Sequence, residues 1–450
     1  MNVENIKTVW DDVRTSFWFV PSLMIGMGGL LALAGAALER RMKGTGADAP
    51  WFIPVSAPSD ARDLMSTLVT SMVTATSLIF SISMVVLTLA ASQFGPRLVR
   101  NFMASRQTQL ILGTFVMTIV YGLLTLSMMG SRSSPEAEAQ PALAIAVALV
   151  VASVGLLGLF QHELARSIMA ETIITRVGEE LNGLVLALPR LEAPPDEHPE
   201  RALPARFEEE AAHLGPARAG YIQAIDFRSL SAAAERADCL VGLHFRAGDY
   251  VVRDGKGIAI HPAGRASDAL CREVRQAIVV GVRRTPVQDV EFSIRHLVEI
   301  ALRAMSPSLN DPFTAITVID QLSDSLSLML NHELPPGLHR DSRGILRVVC
   351  PRPTHASVLG AALDQIRQNG ADKPVVAIHL LEALERLALH AALPAQVEAM
   401  RAHVDLVLEA ARRQIAQEAD LGAVERRGAA AKAALSNRSR APFPLCDWQE

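Results

Sequence analysis

An excess of charge of either sign is missing, aromatic side chains are few and cysteine is nearly absent, and each shortage closes a class of function. The 450 residues hold 43 Lys and Arg against 47 Asp and Glu, a formal net charge of −4, and aromatic residues make up only 5%. A chain so balanced offers no basic surface to grip a phosphate backbone, and no aromatic-rich basic stretch or reader motif turns up, so nucleic acid is not an expected partner. The four cysteines, Cys239, Cys271, Cys350 and Cys446, lie far apart, with no C-x-x-C pair and no histidine at ligand spacing. They read as reduced thiols, and neither a disulfide framework nor a metal site is expected. His162-Glu163 and His332-Glu333 lack the second histidine of a zinc-protease helix, and there is no G-x-S-x-G or Walker loop. No catalytic residues, no enzymatic activity and no cofactor are therefore expected.

What the chain has instead is apolar length. Half of its residues are hydrophobic, and the mean hydropathy is +0.24, which a purely soluble chain seldom shows. The excess sits in the first 160 residues, which hold 10 of the Lys and Arg and 9 of the Asp and Glu. Phe17 to Leu38, Leu64 to Ala91, Leu110 to Gly130 and Pro141 to Phe160 carry no Asp, Glu, Lys, Arg or His. Each reaches the run of about 20 residues that crosses the hydrocarbon of a bilayer as a helix. Glu39, Arg40 and Arg41 stop the first run directly, and without a cleavage site it reads as a retained span. Lys7, Arg14, Arg97, Arg100, Arg106, Arg166 and Arg176 flank one side and Arg40, Arg41, Lys43, Arg62 and Arg132 the other. That bias favours both termini in the cytoplasm.

The second run is the most informative. Thr67, Thr70, Thr74, Ser77, Ser81 and Thr88 recur at a period of about 3.5 residues. A seam of that kind serves as glue between packed helices, or lines a water-filled path when copies of the helix surround a shared axis. Ser66, Ser71, Thr76 and Ser83 widen its polar share. No charged side chain interrupts the four runs, which argues against a proton pump or coupled transporter. After this run, Gly95-Pro96 ends the helix, and Arg97 and Arg100 stand opposite Leu98 and Phe102. These arginines serve either as a cytosolic mouth favouring anions or as a topology-setting cluster at the lipid head groups. Gly26, Gly28, Gly29, Ala32, Gly35 and Ala36 give the first span a small-residue surface for close helix contact.

Beyond the spans the pattern is mixed. Residues 161–204 read as a helical extension to Leu188 followed by a Pro-rich linker, 205–420 as a cytosolic α+β domain rich in helices, and 421–450 as a loosely ordered tail. The expected fold is thus mainly α, four transmembrane helices followed by that domain. Short strands are expected at Tyr221–Phe227, Cys239–Phe245, Tyr250–Val252, Gly257–His261 and Ile345–Val349. Helices are expected at Ser229–Ala237, Ser267–Val280, Val287–Met305 and from Asn310 or Asp311 to Asn331, with three more behind them. Asp289, Arg295, Ser306, Asn310 and Asp311 gather polar groups around helix ends and form a candidate ligand site, with helix capping and surface ion pairing as the plainer reading.

Ser16-Phe17-Trp18-Phe19-Val20-Pro21, Ala91-Ser92-Gln93-Phe94-Gly95-Pro96-Arg97-Leu98, and Ile294-Arg295-His296-Leu297 through Ser306-Pro307-Ser308-Leu309-Asn310-Asp311-Pro312 resemble a bacterial family of predicted membrane proteins, domain of unknown function twenty-two fifty-four. The resemblance spans nearly the whole chain and implies an inner-membrane location with the same layout of spans and cytosolic domain. It implies no activity. Ser293 and Ser308 stand where the family pattern has glycine, at two expected turns. The reading that follows is a homo-oligomeric, passive ion channel in the lipid bilayer, with inorganic ions as its cargo. The alternative is a membrane-anchored sensor or scaffold whose cytosolic domain binds a ligand or partner.

Overall fold

In the computed structural model the described residues are 19–42, 58–94, 105–130, 140–191, 203–253 and 255–440. Their contacts divide the chain into two units, one up to residue 173 and one from residue 174 onward. Trp18, Trp51, Arg97, Arg100 and Cys446, and the loop and tail positions around them, lie outside the described residues.

The first unit is built on α1 (Phe19–Met42), α2 (Pro58–Phe94), α3 (Arg106–Gly130) and α4 (Gln140–Ser167). All four are long and apolar enough to cross a membrane. Helix α3 is the most enclosed of them, with half of its apolar window buried. Its tight contacts depend on missing side chains. A Cβ on Gly28 of α1 would meet the Met117 carbonyl oxygen at 2.9 Å, and one on Gly113 or Gly122 would collide with Met24 or Val69. Gly28, Ala32, Gly35 and Ala36 turn inward as the small-residue pattern predicts, whereas Gly26 faces open space. Helix α4 joins through polar groups as well. Tyr121 donates its hydroxyl to the Ala142 carbonyl at 2.9 Å, and Thr118 and Ser153 pair at 3.1 Å. A buried polar group left unpaired costs several kcal/mol in hydrocarbon, so these bonds fix the rotation of α4 about α3.

The expected continuous helical extension to Leu188 is interrupted. Helix α4 ends at Ser167, and α5 (Ala170–Leu186) begins after a two-residue break at 168–169. Residues 189–191 do not belong to a free linker, because Leu191 donates to Asn331 O and Glu333 to Pro189 O, at 3.0 and 2.9 Å.

From there the second unit comprises α6 (Phe207–Glu210), β1 (Ala212–Leu214), β2 (Gly220–Ile225), α7 (Phe227–Ala237), β3 (Leu240–Leu243), β4 (Tyr250–Val251), β5 (Ile258–His261), α8 (Asp268–Gln276) and β6 (Ile278–Gly281). It continues with α9 (Val290–Ala304), α10 (Pro312–Met329), β7 (Leu338–Arg340), β8 (Leu346–Val349), α11 (His355–Gly370), α12 (Pro374–Ala388), α13 (Pro394–Gln414) and α14 (Glu418–Arg440). The strands form two small sheets, in the orders β1-β5-β3-β8-β7 and β4-β2-β6. Their inward faces, with α7 and α8, close a core around Ile222, Leu230, Val241, Ile258, Ile260 and Val274. Local chemistry sets the boundaries. Asp226 caps α7 through Ser229, which keeps its carboxyl below the usual carboxylate range. Asp311 caps α10 through Thr314, with Pro312 in the first turn and Asn310 at φ 47 just before it.

Three expectations give way here. Ile278, Val279 and Val280, read as helix, form β6, whose partner β2 takes up their backbone groups; β1 and β7 are further strands. Ser293 is no turn residue but a buried position inside α9. The tail read as loose from residue 421 is helical to Arg440. Its Val424, Ala431 and Leu435 are fully buried, and its charges find partners, Arg427 with Glu382 and Glu385 and Lys432 with Asp405. Residues 441–450 lie outside the described residues.

Candidate functional site

The hydroxyl seam takes its place from the rotation of α2. That helix has 37 residues and is about 55 Å long, well beyond the roughly 30 Å of a bilayer's hydrocarbon. Ala61, Met65, Val69, Met72, Thr76, Ser83, Leu87 and Ala90 are buried against α3 and α4. At about 100° per residue they fill an arc of roughly 80°, and Thr67, Thr70, Thr74, Ser77, Ser81 and Thr88 fill a second arc centred roughly 150° away. All six are exposed. The chain's own helices do not cover them. Leu64, Leu78, Ile82, Val85 and Leu89 stand beside this strip on one edge, and Val73 and Met84 on the other. Of the four residues that widened the polar share, Thr76 and Ser83 point into the bundle and Ser66 and Ser71 outward. Thr67, Thr70, Thr74 and Thr88 donate their hydroxyl hydrogens to the carbonyls four residues back, at 2.7–2.9 Å.

The candidate ligand residues of the second unit do not converge as one group. Asp289 caps the start of α9, and Ser306, Asn310 and Asp311 follow its other end, about 25 Å away at helical rise. At the far end the groups serve the chain itself: Ser306 Oγ lies 3.2 Å from Ser308 Oγ, and Asp311 caps α10. At the near end Asp289 and Arg295 belong to a buried ion cluster. Arg284 reaches Asp289 Oδ2 through Nε and Nη2 at 2.8 and 2.5 Å. Glu291, 3% exposed, receives Arg246 at 2.6 Å and Arg295 at 3.1 Å. Burial pushes the Asp289 carboxyl up despite Arg284. Burial acts on Glu291 in the same sense, but the hydrogen bonds and charge of Arg246 and then Arg295 prevail and hold it down. Gly248, at φ 93, lies so close to the Asp289–Arg284 pair that a side chain there would strike both.

This cluster borders a cavity of about 330 Å³. Arg246, Asp289, His339 and Cys350 stand among apolar walls that include Leu184, Leu188, Val287, Val290 and five prolines. Phe227 stacks on the His339 ring at 3.8 Å. Burial lowers the His339 pKa and pushes the Cys350 thiol up to about 12 and the Cys239 thiol up to about 11, so both thiols stay protonated and poorly nucleophilic. Such a lining is able to enclose a small, largely apolar molecule and to meet one polar or acidic end of it. Sequence reasoning found Asp289 and missed the rest of the lining. The run Pro335-Pro336 and the pair Pro351 and Pro353 were the available signal, since prolines fix loop backbone without pairing it.

A second cluster also escaped the sequence reading. Glu208, His213 and His244 bring one carboxylate oxygen and two ring nitrogens within 4.8 Å of one another. They meet because β1 and β3 flank β5, a neighbourhood that sequence spacing does not reveal.

Four bilayer-length apolar helices ahead of a helical unit with small sheets define a multi-span membrane protein with a folded C-terminal unit. The chain belongs to the DUF2254 family of predicted membrane proteins, whose model matches residues 14–386. It is similar to uncharacterized proteins of Mycobacterium tuberculosis (Rv1290c) and Mycobacterium bovis (Mb1321c), each 32% identical over 448 residues that cover 95% of this chain and 82% of the relative. No solved structure matches it.

Proposed function

We propose that this protein is a homo-oligomeric, passive ion channel of the bacterial inner membrane, with its termini in the cytoplasm. In this reading the second span lines the path, and the C-terminal unit assembles or gates it. The observation that carries the proposal is the exposed hydroxyl strip on α2, opposite its packing face. A face that met only lipid tails would gain nothing from six hydroxyls in register, whereas copies placed around an axis would bring them to water and to ions. The absence of charged residues from Leu64 to Ala91 agrees with passive flow.

The test is reconstitution of the purified full chain in a planar bilayer under voltage and under tension. Conductance is expected from the parent and its loss from the Thr74→Leu, Ser77→Leu double variant. A silent parent, or a double variant that conducts as the parent does, defeats the proposal. The cavity beside Arg246 and Asp289 favours a second reading, a membrane-anchored sensor. Arg246 in the cavity wall is the group that would meet the acidic end of such a ligand.

A further inference from the structure

We propose that Glu208, His213 and His244 form a binding site for one zinc ion or a chemically similar divalent transition metal. The site is independent of ion conduction. Glu208 Oε1 lies 3.4 Å from His244 Nε2, and Glu208 Oε2 lies 3.9 Å from His213 Nε2. Donors bound to zinc at about 2.0–2.1 Å in a tetrahedron stand about 3.4 Å apart. The Glu208–His244 edge already has that spacing, His213 faces the other oxygen of the same carboxylate, and one oxygen with the two ring nitrogens lie within 4.8 Å of one another, a gap that rotation of the half-exposed Glu208 and His244 side chains can close. Two imidazoles and a carboxylate without a thiolate suit zinc, cobalt, nickel or copper, while calcium and magnesium prefer oxygen alone.

The surroundings permit entry. The three side chains are 52%, 23% and 43% exposed, in the order Glu208, His213, His244, so water is free to complete the coordination. His213 Nε2 now bonds the Glu208 carbonyl oxygen at 3.0 Å; the metal replaces that one bond. A metal here also has a structural effect. Strand β1 pairs with β5 over three residues, and β5 separates it from β3, so a bond from His213 to His244 through the ion fastens an edge strand across its neighbour.

The experiment uses the full chain in detergent, carried on a tag without histidine and stripped with a chelator. Zinc is titrated against a chromophoric competitor, and cobalt is added separately to read its visible absorption. One zinc per chain is expected, together with a tetrahedral or five-coordinate cobalt spectrum. His213→Ala, His244→Ala and the shape-preserving Glu208→Gln should each weaken zinc by at least the ~10–100-fold that the loss of an outer-sphere partner costs. Zinc should raise the thermal midpoint of the parent and not of these variants. His379→Ala, which removes the separate His379–Glu382 pair, should leave both readouts unchanged. Less than one zinc per parent chain, an affinity equal to the parent's in all three site variants, or an equal loss in His379→Ala overturns the proposal. If an alanine variant misfolds, Glu208→Gln alone decides.

Discussion

Replacing Arg246 with Met should cost the second unit about 3 kcal/mol. The partner, Glu291, is 3% exposed and takes the Arg246 hydrogen bond at 2.6 Å. Removing one member of a buried pair leaves the other charge uncompensated, at about 3–5 kcal/mol. The lower end applies because Arg295 still reaches Glu291 at 3.1 Å. Arg295 itself is 51% exposed, so Arg295→Met should cost about 1 kcal/mol or less. The ordering of the two variants is the sharper part of the prediction. A thiol-reactive fluorogenic dye provides the assay in detergent, because Cys239 and Cys350 are buried and react on unfolding. At about 2–4 °C per kcal/mol for a unit of this size, Arg246→Met should lower the midpoint by about 6–12 °C. A loss of under about 1 kcal/mol, or a greater loss from Arg295→Met, would show that Glu291 is solvated and that the cluster does not hold α9 in place.

Two further outcomes concern the same unit. Burial, and then the charge of Arg352, bring His355 down to about 4, and its Nε2 lies 3.3 Å from the Gln396 amide nitrogen. The unfolded chain takes up this proton near pH 6.5, so the stability that neutral His355 supplies is complete above about pH 6.5 and lost as pH falls toward about 4. His355→Gln should flatten that decline, and parallel midpoint curves for parent and variant between pH 7.5 and 4.5 would refute it. Leu435→Ala should cost about 2–5 kcal/mol, as for a fully buried leucine; an unchanged midpoint would return α14 to the status of a loose tail.

The parts legible in the sequence were those where one local signal had one structural meaning. Charge-free runs marked α1 to α4, and Asp311-Pro312 fixed the start of α10. Hydrophobic pattern alone failed where two structures share it. Ile278-Val279-Val280 continues the apolar spacing of α8, and only pairing with β2 makes it a strand. Helix α14 carries little apolar patterning, and its order comes from the few apolar side chains, Val424, Ala431 and Leu435, that it buries where it packs on α12 and α13. The polar positions around α9 looked like one site because they are close in sequence; a helix of 15 residues keeps its ends apart. His244 presents the converse, distant in sequence from the neighbours Glu208 and His213 and joined to them by strand order.

The threonines of α2 carry one more consequence. A hydroxyl can present either its hydrogen or its lone pairs, and in Thr67, Thr70, Thr74 and Thr88 the hydrogen is already committed to the helix's own carbonyls. What these four turn outward is electron density without protons. In the proposed channel these four threonines would offer a partly dehydrated sodium or potassium ion replacement oxygens, and would leave hydroxyl hydrogens for a chloride only at Ser77 and Ser81 of the strip.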